Sequence, residues 1–82
     1  MSKAEILSKL QEIMKNVFDD ETIKINNNTK RSDISDWDSL SQIRIVLSIE
    51  KKFNIKMDVD KAVMIETVGE FVEEIEKKIN KE

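Results

Sequence analysis

With no histidine, cysteine or tyrosine, this chain has few side chains that can do chemistry. Any nucleophile and general base would have to come from serine, threonine, lysine, aspartate and glutamate. The pairing that stands out is Asp38-Ser39, within Asp36-Trp37-Asp38-Ser39-Leu40, where a long polar loop gives way to helical apolar spacing. A serine at a helix start lies beside exposed backbone amides and the positive end of the helix dipole, which stabilise an anion by about 0.3–1 kcal/mol. Such a hydroxyl can carry a phosphoester. The same residues also suit an ordinary helix cap, either Asp38 itself or Ser39 with Gln42 as its third-position partner, worth about 1 kcal/mol. Lacking an imidazole or thiolate, the chain can offer a handle for an attached group, and it is not expected to be an enzyme.

The same absences exclude other classes. Without cysteine or histidine there is no disulfide framework, and zinc would have carboxylates alone to hold it. A formal charge of −3 gives no footprint for nucleic acid. A calcium loop beginning at Asp33 would need glycine at its sixth position, where Asp38 stands. The N-terminus carries Glu5 in its first turn and leads into amphipathic spacing, so a cytoplasmic protein without membrane insertion is expected. At 82 residues and 39% apolar, residues 1–82 should form a single folded domain and a monomer.

The elements that must position Ser39 follow from periodicity. From Ser2 to Phe18, Ile6, Leu7, Leu10, Ile13, Met14, Val17 and Phe18 recur at steps of three and four, and Glu5 precedes Lys9 by four as in a helical ion pair. Asp19 to Asp38 loses the period and fills with asparagine, serine and aspartate, a long loop that Ile23, Ile25, Ile34 and Trp37 could pin. Helical spacing returns from Ser39 to about Phe53. Ile55, Met57 and Val59 alternate but read as an extended connector, followed by a short turn through Lys61, Ala62, Val63 and Met64 capped by Asp58 or Asp60. Thr67-Val68-Gly69-Glu70 is a capping box opening a last helix with the stripe Val68, Phe71, Val72, Ile75 and Ile79, and with Lys77, Lys78 and Lys81 at its negative end. With no proline and a single glycine, the expected fold is all-α: a small four-helix bundle with a long loop between helices 1 and 2 and a short third helix.

The second helix is apolar on two sides. Ile45, Ile49 and Phe53, flanked by Val46, form the inner stripe, whereas Ile43 and Leu47 follow Ser39 by four and eight residues and share its face. That outer face is either part of a broad core stripe or a docking surface.

Asp38-Ser39-Leu40 opening the second helix, the loop before it, Phe53 closing it, and Ile65-Glu66-Thr67-Val68 opening the last helix together resemble an acyl carrier protein, over nearly the whole chain. The resemblance implies that Ser39 receives 4'-phosphopantetheine from coenzyme A through a separate phosphopantetheinyl transferase. The arm's thiol would then hold acyl intermediates as thioesters for acyl-loading and acyl-using enzymes. It further implies that Asp38 assists the transferase and its metal ion, and that Leu40 anchors the helix start. An acyl chain would slip between the second and third helices, against Ile45, Val46, Ile49, Met64 and Ile65, each sequestered methylene gaining about 0.8 kcal/mol.

Carriers of fatty-acid synthesis usually present an acidic second helix, and here the charge runs the other way. Arg44, Lys51 and Lys52 against Glu50 leave Ser39–Phe53 at net +2, while six acids against Lys24, Lys30 and Arg31 leave Asp19–Asp38 at net −3. Since complementary charge sets encounter rate and partner choice, a dedicated rather than housekeeping carrier is expected, serving one operon-specific pathway through Ile43, Arg44, Leu47 and Lys51. Trp37, before the Asp-Ser-Leu motif, either supports that specialisation or simply pins the loop to the core. The competing class is an unmodified helical adaptor binding a partner helix through Ile43 and Leu47.

Overall fold

The computed structural model describes residues 1–80, so Lys81 lies outside the described residues. Four helices appear, α1 (Lys3–Phe18), α2 (Ser39–Phe53), α3 (Val59–Ala62) and α4 (Val68–Ile79), with one 3-10 turn over Arg31–Asp33 in the long loop.

Each helix begins where a side chain can satisfy its orphan amides. Ser2 caps α1, its hydroxyl accepting from the Glu5 N–H at 3.2 Å while the Glu5 carboxylate accepts from the Ser2 N–H at 3.0 Å. Glu5 therefore turns back to Ser2 instead of forward to Lys9. Thr67 and Glu70 form the predicted box on α4, and Asp58 caps α3 by accepting from the Asp60 N–H. That cap makes Val59 the first helical residue, so the short helix starts two residues before the turn predicted at Lys61, and Val59 is not extended. The helices α1 and α2 end on left-handed residues, Asp19 (φ 51°) and Asn54 (φ 56°), since glycine, the usual occupant, occurs only at Gly69.

The apolar stripes of α1, α2 and α4 meet in one core built from Ile6, Leu10 and Met14, Ile45 and Ile49, and Phe71 and Ile75. Each such side chain contributes about 1.5–3 kcal/mol on burial, against about 0–1 kcal/mol for exposed ion pairs such as Lys3–Glu76 and Lys15–Glu12. Apolar burial therefore dominates.

The loop is fastened by more than its apolar residues. Ile25 and Trp37 are buried and Ile23 and Ile34 half-buried, as the sequence suggested. In addition, the first amides of α4 donate to loop carbonyls, Val68 N–H to Thr29 O at 2.9 Å and Gly69 N–H to Asn27 O at 3.0 Å, and the Arg31 N–H donates to Glu66 O at 2.8 Å. The loop backbone thus completes the N-terminus of α4. Gly69 permits the approach: a Cβ there would lie 2.8 Å from the Asn27 carbonyl oxygen. Trp37 stacks on Phe71 with centroids 6.4 Å apart and meets Phe18 at 6.3 Å, which makes it a core pin. It therefore lends nothing to an argument about partners.

Candidate functional site

Asp38 and Ser41 build the start of α2 together. The Asp38 carboxylate accepts from the Ser41 N–H at 2.9 Å, and the Ser41 hydroxyl accepts from the Asp38 N–H at 2.8 Å while donating to the Asp36 carbonyl at 2.8 Å. The Ser41 amide first, and second the Ser41 hydroxyl lying 3.0 Å from the same carboxylate oxygen, hold the Asp38 carboxyl below the usual aspartate range, so it is ionised at neutral pH. Because this pair forms the cap, Ser39 does not have to. It stands exposed as the first residue of α2, directly after the ionised Asp38 in the chain, whereas Ser41 is buried and its hydroxyl committed.

Gln42 is not a capping partner, and its actual role was missed in the sequence. Only 1% exposed, it accepts from the Trp37 indole N–H and donates both amide hydrogens, to Ala62 O at 2.8 Å and Ile65 O at 3.0 Å. One side chain thus ties the loop, the first turn of α2 and the turn after α3. Its signal was available: Ser39, Gln42, Val46 and Ile49 fall at steps of three and four along one strip of α2, and only Gln42 is polar among the inward members.

The outer face of α2 is open. Leu40, Ile43 and Leu47 are exposed together with Arg44 and Lys51. Leu40, at 62% exposure, does not anchor the helix start; the cap points it outward, and Trp37 and Gln42 do the anchoring. Glu50, the single acid on α2, is turned away to accept from the Met57 N–H at 2.8 Å. Of the residues assigned to an acyl pocket, Ile45, Val46, Ile49 and Ile65 lie in the packed core, but Met64 is 74% exposed and does not join them. It sits in the turn that follows α3, outside the side that Gln42 holds against α2. Among the described residues no cluster of three carboxylates could hold a metal ion, and no helix is long and apolar enough to cross a membrane.

A helical scaffold that leaves Ser39 exposed at the start of α2, with the cap complete without it, is what a carrier requires, a protein whose chemistry resides on something attached. Residues 8–75 match the family model described as a phosphopantetheine attachment site. The chain is 35% identical over 75 residues to an acyl carrier protein of Acidothermus cellulolyticus, covering 92% of this chain and 89% of the relative. It is 32% identical over 78 residues to one of Thermotoga maritima, covering 95% and 96%. The solution structure of the holo acyl carrier protein from Geobacter metallireducens superposes with a TM-score of 0.83 at 32% identity, over 92% of this chain and 86% of that one. This chain belongs to the phosphopantetheine-binding acyl carrier protein family: it is a carrier, not an enzyme, and its prosthetic group is 4'-phosphopantetheine. The unmodified adaptor finds no support in these relatives. The residues present fit the group, since the cap is complete without Ser39 and its hydroxyl is left exposed at a helix N-terminus suited to a phosphodiester.

Proposed function

We propose that Ser39 is the attachment point and that this is a dedicated carrier, its partners chosen by a basic, apolar-faced α2. The observation that carries the first part is the division of labour between neighbouring serines: Ser41 is consumed by the cap and Ser39 is exposed beside Asp38. In the attachment step the Ser39 Oγ–P bond forms as the phosphoanhydride P–O bond of coenzyme A breaks. The hydroxyl proton passes to a base on the phosphopantetheinyl transferase, and adenosine bisphosphate leaves. Asp38, held ionised by the Ser41 amide, faces the transferase and its metal ion. Once bound, the arm supplies a thiol that holds acyl groups as thioesters. The dependence on coenzyme A favours a cytoplasmic site for the monomeric carrier.

Partner choice rests on Leu40, Ile43 and Leu47 flanked by Arg44 and Lys51, with Glu50 withdrawn toward Met57. Such a face favours acyl-loading and acyl-using enzymes with an apolar contact ringed by carboxylates. Intact mass after incubation with coenzyme A and a broad-specificity transferase tests the attachment. One phosphopantetheine adduct on the wild type and on Ser41→Ala, and none on Ser39→Ala, is expected; an adduct that survives Ser39→Ala would refute it.

A further inference from the structure

The strip of α2 that carries Ser39 leads inward to the apolar core. Gln42, Val46 and Ile49 follow at three, seven and ten residues, so a chain entering between α2 and α3 from Ser39 meets Gln42 first, about 4.5 Å down the helix axis. Gln42 fills that passage. Its amide donates to the Ala62 and Ile65 carbonyls on the far side, and its oxygen accepts from Trp37. Behind it Ile45, Val46, Ile49, Ala62 and Ile65 are all buried, and among the described residues no buried side-chain nitrogen or oxygen lacks a partner.

Resting on the assignment of Ser39 as the attachment point, we propose that Gln42 closes the α2–α3 passage and that this carrier holds acyl groups with little alkyl surface, kept outside the core. Insertion of a chain would separate Gln42 from the two carbonyls and strip Trp37 of its acceptor, leaving buried polar groups unpaired. Each methylene transferred into the core favours insertion only about fourfold, so a short or polar group cannot drive the opening. The bonds are directional and specific to an amide: a leucine or methionine in its place would leave the passage apolar and free to part.

Wild-type protein is loaded on Ser39 with acetyl, hexanoyl or dodecanoyl phosphopantetheine from the corresponding coenzyme A thioesters, and loading is verified by intact mass. Hydroxylamine then attacks the thioester carbonyl, breaking the C–S bond and freeing the thiol; the cleavage rate reports access. Emission from Trp37, the single tryptophan, reports whether its bond to Gln42 survives. The expected result is one cleavage rate and one emission spectrum for the acetyl and hexanoyl thioesters in the wild type, and less protection of the dodecanoyl thioester than in Gln42→Leu. Gln42→Leu, with Gln42→Met as a second variant, should protect the dodecanoyl thioester and leave the acetyl thioester unprotected. Hexanoyl protection in the wild type with a shift in Trp37 emission would overturn the proposal, and the wild-type comparison decides it even where a variant fails to fold. Equal cleavage in folded variants of both kinds would remove Gln42 from the role. Failure to load, or loading that persists in Ser39→Ala, would instead overturn the attachment assignment.

Discussion

The Asp38 carboxylate caps α2, and the proposed role toward the transferase can be separated from that cap. As a cap it needs only an acceptor for the Ser41 N–H, which asparagine also supplies; toward a transferase and its metal ion it needs charge. Asp38→Asn should therefore keep the helix content and melting temperature of the wild type while slowing phosphopantetheinylation, whereas Asp38→Ala should lose on both counts, as circular dichroism and mass-based rate measurements would show. The lowered Asp38 pKa fixes the sign of its pH effect. The stabilisation is fully present above the ordinary aspartate value and is lost as pH falls through the lowered folded value, because the unfolded chain takes up that proton first. An acid titration of helicity should show this loss in the wild type, and Asp38→Asn should lack that component. Ser39 was legible in the sequence because a motif and a change of period coincide there. Gln42 was not, since its partners Ala62 O and Ile65 O are backbone carbonyls twenty residues and more away and leave no mark in residue type.

At the scale of elements, the α4 N-terminus and the loop before α2 form a joint that no periodicity announces. The stripes of α1, α2 and α4 were readable because burial repeats with the helical period, and Thr67 and Glu70 were readable as a box. Carbonyls of Asn27 and Thr29 capping α4 were not, because any residue can supply a carbonyl. Only Gly69 hints at the contact. Gly69→Ala would place a Cβ against a backbone oxygen that cannot rotate away, and a destabilisation of about 1–3 kcal/mol is expected from overpacking of this kind. Urea denaturation followed through Trp37 would measure it, and an unchanged midpoint would mean the joint gives without cost. The onset of α3 shows a smaller lesson of the same kind: alternation at Ile55, Met57 and Val59 resembled a strand, but the Asp58 cap turned Val59 into a helix.

Across the whole molecule, charge is sorted by region: acids gather in the loop before Ser39, and the outer face of α2 is basic and apolar. On the proposed reading this arrangement steers partners through encounter rate more than through final affinity. The double substitution Arg44→Glu and Lys51→Glu should leave loading of Ser39 intact. Turnover with the native partner enzyme should fall, and the effect should shrink as added salt screens the contact. Equal turnover at low salt would remove α2 charge from partner choice, as would efficient use of the holo form by a general fatty-acid ketosynthase. Attachment of the arm to Ser39 can be read from peptide-resolved mass spectrometry of the protein isolated from its native cell. Trypsin cleavage after Arg31 and Arg44 places Ser32, Ser35, Ser39 and Ser41 on one peptide, and fragmentation separates them. Phosphopantetheine is expected on Ser39 alone; the group on another serine, or a peptide that is never modified, would rule this attachment out.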